Sequence, residues 1–150
     1  MLSNIENIID KYSLFINCSS VFTYPNVPLK KCTPAMASYA SVITARDIIL
    51  LYDDTALGGA KDGFIITKDR FFLKEAFESP KSIGASSISS IDYQSGVMSK
   101  KIIINKRKVF SATYLDKESI ESIVLMMREL YCDKNSESCQ SQSNNDDELM

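Results

Sequence analysis

Two segments of the chain decide the expected fold: residues 63–75 read GFIITKDRFFLKE, and residues 100–115 read KKIIINKRKVFSATYL. In each segment an apolar run rich in β-branched or aromatic residues is followed by a short polar turn and a second apolar run. That order is typical of antiparallel strands joined by tight turns. The sequence therefore predicts two β-hairpins within a strand-rich stretch, Asp53–Tyr114.

Further elements are predicted on either side of these hairpins. Upstream, the continuous apolar run Ile48–Tyr52 predicts a buried strand, and between the hairpins the alternating residues of Ser89–Ser95 predict a half-exposed one. Downstream, Asp116–Tyr131 predicts an amphipathic helix, whose first turn Asp116 can cap by accepting hydrogen bonds from free N–H groups. Its apolar stripe consists of Ile120, Ile123, Val124, Met127, Leu130 and Tyr131.

The two ends of the chain differ from this middle part. Residues 1–46 predict a helical extension packed on the core, with apolar residues at helical spacing over 3–16 and a short helix over Pro34–Ser41 capped by Thr33. Between these helices, three prolines predict a loop or an extended connector over 17–34. Residues 133–150 are dominated by Ser, Asn, Gln and acids, so a disordered acidic and polar tail is expected. Residues 47–132 form the expected central domain.

Composition excludes several classes of catalytic site. The chain has no histidine, which rules out Ser–His and Cys–His nucleophile pairs and zinc sites that use histidine. None of the four cysteines lies in a CxxC motif. Asp53, Asp54 and Asp62 surround a glycine-bearing loop, but their spacing does not match an EF-hand, and a turn-forming role is the better interpretation. No enzymatic activity, metal or cofactor is predicted.

The expected location is the cytoplasm. The N-terminal residues MLSNIENIIDKYS lack the basic region of a signal peptide. No apolar run approaches the roughly 20 residues that a membrane span requires. Reduced thiols are expected in that compartment.

One basic cluster is a candidate site for anionic ligands. It consists of Lys100, Lys101, Lys106, Arg107 and Lys108. Such a surface could bind anionic lipid headgroups, whereas the alternative is a solvated turn and a charged strand edge that discourages aggregation. Nucleic acid is not an expected partner, because the net charge of the chain is −2.

The segment GFIITKDRFFLKE, together with the later SSISSIDYQSG, KKIIINKRKVFSATYL and the final helix, resembles bacterial pleckstrin-homology-like (PH/GRAM-like) domains over residues 48–131. Thr67 and Arg70 match the first hairpin of that family, and Ile83, Ile88 and Ile91 match its middle strands. The resemblance implies an α+β fold: a bent antiparallel sheet or partly open barrel of about seven strands, closed by a C-terminal helix. It also implies a protein-interaction or membrane-associated scaffold. The family's lipid-binding loop corresponds here to Asp53–Asp62, which is acidic and argues against phosphoinositide binding.

The leading functional hypothesis is a non-enzymatic cytoplasmic module that binds another protein through exposed sheet edges or the groove beside Asp116–Tyr131. A second hypothesis is an immunity or inhibitor protein that binds a toxin or an enzyme. A third is a peripheral membrane protein that binds anionic lipid through the hairpin Lys100–Lys108.

Overall fold

The computed structural model describes residues 2–132, and the tail predicted over 133–150 lies outside them. Within the described residues, the helices are α1 Leu2–Ser13, α2 Leu29–Tyr39 and α3 Lys117–Met127. The strands are β1 Val21–Thr23, β2 Leu50–Asp53, β3 Gly63–Ile66, β4 Arg70–Lys74, β5 Lys81–Gly84, β6 Ile91–Ser95, β7 Lys100–Ile104 and β8 Arg107–Ala112. A short π-helical turn, Arg128–Cys132, follows α3.

The strands form two antiparallel sheets, which confirms the predicted α+β class. Sheet A has the order β1-β2-β3-β4-β5, and sheet B has the order β6-β7-β8. Every neighbouring pair is antiparallel, and both predicted hairpins are present as β3–β4 and β7–β8. The two sheets are not joined into a closed barrel.

Sheet A is covered on both faces, so β2 and β3 are buried at every position. Its inner face packs against sheet B and α3 through Leu50, Tyr52, Phe64, Ile66, Phe71 and Leu73. Its outer face carries Leu51, Ile65 and Phe72, which pack against Cys32, Ala35 and Tyr39 of α2. Burial on both faces explains why residues 48–52 form a continuous apolar run instead of alternating with polar residues.

Helix α1 docks beside the end of α3. Ile8 and Ile9 are buried in the main core. The Lys11 ammonium lies 2.7 Å from the Glu129 carboxylate, and the Tyr12 hydroxyl donates to the same carboxylate. These contacts fix the N-terminal helix to the C-terminal one.

The segment 17–34, predicted as a loop or an extended connector, contains in addition the short strand β1 and the start of α2. Strand β1 pairs with β2 in the register Phe22↔Leu51. Helix α2 begins at Leu29 instead of Pro34, which lies inside it and removes one helical hydrogen bond. Packing of the buried face of α2 on sheet A offsets that loss.

Helix α3 begins close to its predicted start but without the predicted cap. Asp116 precedes the helix, and its carbonyl accepts from the Ile120 N–H at 3.0 Å, but its side chain forms no capping hydrogen bond. Regular α-helix ends at Met127, four residues before the predicted end. The π-helical turn that follows places the Tyr131 hydroxyl 2.7 Å from the Thr67 carbonyl and 2.9 Å from the Arg70 carbonyl, at the β3–β4 turn.

Where the two sheets meet, side chains at the ends of strands of sheet A accept hydrogen bonds from N–H groups of β8 and of the residues just after it. We call this region the sheet junction. The Ser111 N–H donates to the Glu75 carboxylate at 2.9 Å, and the Thr113 N–H donates to the Asp54 carboxylate at 2.8 Å. Burial raises the pKa of Asp54, although the donors of Tyr52 and Thr113 stabilise its charged form. At this junction the two sheets are thus connected by hydrogen bonds to side-chain oxygens, and not by the pairing of two strands.

Candidate functional site

The five cations predicted to form one anionic-ligand surface fall into two groups. Lys100 and Lys101 begin β7, whereas Lys106 and Arg107 lie at the β7–β8 turn, at the other end of the strand. A five-residue strand separates its two ends by roughly 13 Å. Lys108 forms an ion pair with Glu75 at 3.3 Å. The structure therefore does not bring all five charges together on one patch.

The aspartates of the β2–β3 loop are each engaged in structural contacts. Asp53 is 3% exposed and pairs with the Lys31 ammonium at 2.7 Å, while Asp62 pairs with Lys74 at 2.7 Å. Burial acts to raise the pKa of Asp53, but the hydrogen bonds from Lys31 and Thr55 outweigh it and lower the pKa. In the described part of the chain, no three acidic or cysteine side chains are placed to share a metal ion.

A cleft of about 410 Å³ separates α1 from the β3–β4 turn. Its floor is apolar, and its rim carries the cations Arg46 and Lys68 and the carboxylates Asp47 and Asp69. Asp47 already accepts from the Thr44 N–H at 2.9 Å. Because the charges at the rim balance, the cleft does not indicate a class of ligand.

Three of the four strand edges of the described sheets are at least partly occupied. At the β8 edge, N–H groups donate hydrogen bonds to the carboxylates of the sheet junction. At β1, the Val21 N–H donates to the Cys18 carbonyl and the Thr23 carbonyl accepts from the Asn26 N–H, so local turns use two outward groups. At β6, the Ile91 carbonyl accepts from Arg128 at 2.8 Å, and α3 packs alongside. These contacts restrict pairing with another strand.

The fourth edge, β5, has its outward backbone groups open to solvent. The Thr67 N–H donates to the Arg70 carbonyl at 3.0 Å, which directs the backbone of Arg70, and by alternation of Phe72, toward β3. Ser82 and Gly84 lie opposite these two residues, so their N–H and C=O groups point away from β4. The Ala85 N–H donates to the Asp69 carbonyl at 2.9 Å, as the same alternation requires.

A shallow groove of about 290 Å³ runs beside this edge on the outer face of sheet A; we call it the edge groove. It is lined by Ser38, Tyr39, Ala40, Ser41, Val42, Phe72, Pro80, Lys81 and Ser82. Val42 is 83% exposed at the groove. The lining of the groove is both apolar and polar. A groove beside an unpaired strand is the arrangement that peptide-binding sheet edges use to combine backbone pairing with side-chain selection.

Arg70 lies over the other half of the edge. Its guanidinium donates to the Ser82 hydroxyl at 2.9 Å, and a Cβ built on Gly84 would lie 3.1 Å from its Nη2 atom. Within residues 2–132, the Arg70 side chain forms no ion pair. The edge therefore carries a positive charge that is directed at its outer face and lacks a carboxylate partner among the described residues.

The local sequence does not predict the β5 edge. Arg70 stands out in it only as a match to the first hairpin of the family pattern. The available signal was the alternation of small and larger residues in Lys81-Ser82-Ile83-Gly84, which is compatible with a short strand. That this strand is an edge depends on the sheet order, which the local sequence does not reveal.

Comparison of the chain with protein-family models, with curated proteins and with solved structures finds no significant match. Among the described residues, no helix is long and apolar enough to cross a membrane. The geometry of the β5 edge is therefore the main basis for a functional proposal.

Proposed function

We propose that this chain is a non-enzymatic, cytoplasmic protein-interaction module with a pleckstrin-homology-like core, and that β5 is its docking edge. The observation that carries the proposal is the pair of outward-facing residues Ser82 and Gly84, whose backbone groups have no partner within residues 2–132. Unpaired edge groups beside a groove favour the addition of a strand from another protein. A toxin or an enzyme as partner, the immunity-protein hypothesis, would use the same edge.

The order of elements supports the pleckstrin-homology-like core. Strands β2–β5 form one meander, strands β6–β8 form a second, and α3 follows them. This is the order that the sequence resemblance implies. Strand β1 and helix α2 are additions, and α2 covers the outer face of sheet A up to the edge groove.

The environment of the titratable groups supports a non-enzymatic role. The carboxylates with shifted pKa values are Asp53, Asp54 and Glu129, and each is held by structural donors. Asp53 pairs with Lys31 beside α2, Asp54 lies in the sheet junction, and Glu129 connects α3 to α1. Perturbed groups in structural pairs of this kind do not form an acid–base or nucleophilic constellation.

Blocking the β5 edge tests the proposal directly. Gly84 has φ −75°, which proline can adopt, and its N–H points away from β4. Gly84→Pro therefore removes one edge donor without breaking the β4–β5 ladder. Gly84→Ala is the matched control, because it places a Cβ against Arg70 but keeps the N–H.

The measurement is affinity capture from an extract of the native host with the unmodified chain and both variants as baits. We expect a protein that the unmodified chain retains and that Gly84→Pro retains much less than Gly84→Ala does, because only proline removes the N–H. Equal retention by all three baits, or no specifically retained protein, would contradict the proposal.

A second candidate function, binding to anionic membranes, is favoured by the β6–β7 turn. Val97 is 98% exposed and Met98 is 87% exposed, and Lys100 and Lys101 follow after Ser99. Exposed apolar side chains next to lysines suit a headgroup surface, where the former insert and the latter contact anionic lipid.

Liposome sedimentation tests this second candidate with vesicles of phosphatidylcholine alone or with phosphatidylserine. We expect salt-sensitive binding to the mixed vesicles that Val97→Glu/Met98→Glu abolishes. The double variant Lys106→Glu/Arg107→Glu changes the distant turn and serves as the control. Equal binding by the first variant and the unmodified chain would remove this candidate.

A further inference from the structure

The backbone of β5 determines how a partner segment would align. Ser82 and Gly84 present two N–H groups and two C=O groups on one line. Every strand pair of sheet A is antiparallel, and an antiparallel addition would continue that pattern. Alternate residues of the added segment then project onto the outer face, next to Gly84 and next to Ser82.

The position next to Gly84 favours an acidic side chain. Arg70 lies opposite Gly84 in the β4–β5 register. Because Gly84 has no side chain, nothing at this position separates the Arg70 guanidinium from an added strand. A carboxylate at that position would meet a cation that has no ion-pair partner within residues 2–132. Arginine binds carboxylates through two parallel hydrogen bonds, which gives geometric selectivity as well as affinity.

The position next to Ser82 favours an apolar side chain. Ser82 lies opposite Phe72, and both residues line the edge groove together with Val42. A side chain that projects from the added strand at this point would cover Val42, which is 83% exposed in the chain alone. Burial of apolar surface at that contact stabilises the complex.

A second copy of β5 does not have this chemistry. Its own outer-face residues are Ser82 and Gly84, which offer neither a carboxylate for Arg70 nor an apolar group for the edge groove. A lipid surface offers no strand for the open backbone groups. The charges and the groove therefore fit an extended segment with an acidic and an apolar residue better than they fit a second copy of β5 or a lipid surface.

Resting on the proposed function, we infer that the partner contributes an extended segment in which an acidic residue is followed two positions later by an apolar residue. The order follows from direction, because an antiparallel segment passes Gly84 first and Ser82 second. The acidic side chain pairs with Arg70, and the apolar side chain occupies the edge groove.

Fluorescence polarisation with the labelled peptide KTSTETLTK tests the inference, since its glutamate and leucine have this spacing. We expect KTSTQTLTK, KTSTETSTK and the reversed order KTSTLTETK each to bind roughly tenfold more weakly, as the loss of one charge-assisted hydrogen bond or one buried apolar side chain implies. In ¹⁵N spectra, KTSTETLTK should shift the amide signals of Ser82 and Gly84.

Arg70→Met provides the test of the ion pair. This variant should bind KTSTETLTK about tenfold more weakly than the unmodified chain does, and its affinities for KTSTETLTK and KTSTQTLTK should be equal. Lys68→Met, which removes an exposed cation of the same turn, is the matched control and should bind as the unmodified chain does. A glutamate preference that persists in Arg70→Met would overturn the inference.

The outcome separates this inference from the proposed function. If affinity capture finds a partner that Gly84→Pro loses, but the unmodified chain binds all four peptides equally or none of them, the acidic–apolar pattern is wrong and the docking edge stands. If Gly84→Pro captures the same proteins as Gly84→Ala, the docking edge itself is wrong.

Discussion

Two tyrosine-to-phenylalanine substitutions should change stability in opposite directions, and Tyr52 is the destabilising case. Its side chain is fully buried, and its hydroxyl donates to the Asp54 carboxylate at 2.6 Å and accepts from the Tyr114 N–H at 2.9 Å. A hydrogen bond to a charged group contributes about 1.5–3 kcal/mol, and a neutral one about 0.5–1.5 kcal/mol. Because Tyr114 is 43% exposed and water can replace part of the second bond, Tyr52→Phe should lower the free energy of unfolding by about 2–3 kcal/mol.

Tyr39 is the stabilising case. Its hydroxyl is buried under α2 without a hydrogen-bond partner in the described part of the chain. Burial raises the pKa of this hydroxyl, and the nearby Asp53 and Asp62 raise it further. Since a buried unpaired hydroxyl has lost its hydration without compensation, Tyr39→Phe should raise the free energy of unfolding by about 1 kcal/mol.

Urea unfolding followed by far-ultraviolet circular dichroism measures both effects, because this signal does not depend on the tyrosine that is removed. Tyr93→Phe is the control: Tyr93 is partly exposed on β6 and its hydroxyl forms no hydrogen bond within residues 2–132, so a change within about 0.5 kcal/mol is expected. The slope of the free energy of unfolding against urea concentration should be the same for all three variants and the unmodified chain. Destabilisation by Tyr39→Phe, or equal stability of the Tyr52 and Tyr93 variants, would refute the reasoning.

Lys31→Met should lower the free energy of unfolding by about 3 kcal/mol, because it leaves the buried Asp53 without its cation. In the unmodified chain the pKa of Asp53 is lowered, so its contribution is present above its unfolded pKa of about 4 and disappears as the pH falls through the folded value. Urea unfolding between pH 2 and pH 6 should show a weaker pH dependence in Lys31→Met, and an identical profile would contradict this assignment. Glu75→Gln should lower the free energy of unfolding by about 1 kcal/mol by weakening the sheet junction, whereas Lys108→Met should change it by less than about 0.5 kcal/mol, since that ion pair is partly exposed. Equal effects of these two substitutions in urea unfolding would argue against the junction.

Local periodicity was sufficient to predict both hairpins and α3, because each of these elements buries one repeating set of side chains. It was insufficient for α2. Proline at position 34 is typical of a first helical turn, but here the buried residues Cys32, Ala35 and Tyr39 fix the helix on sheet A and extend it back to Leu29. Tertiary packing thus overrode the local signal.

The candidate site depends on relations that are remote in sequence. Strand β5 is an edge because β6, the next strand along the chain, belongs to sheet B and does not pair with it. The register of β4 against β5 then selects which backbone groups face outward, and a shift of one residue would expose Ile83 instead of Ser82. Likewise, Lys100 and Lys106 are close in sequence but lie at opposite ends of a strand.

Amide hydrogen exchange along β5, measured by NMR in the free chain and with a captured partner, tests the docking edge most directly. In the free chain we expect fast exchange at Ser82 and Gly84 and slower exchange at Lys81 and Ile83, whose N–H groups face β4. The partner should slow exchange at Ser82 and Gly84. Slow exchange at both residues in the free chain, or no change when the partner binds, would contradict a docking function for this edge.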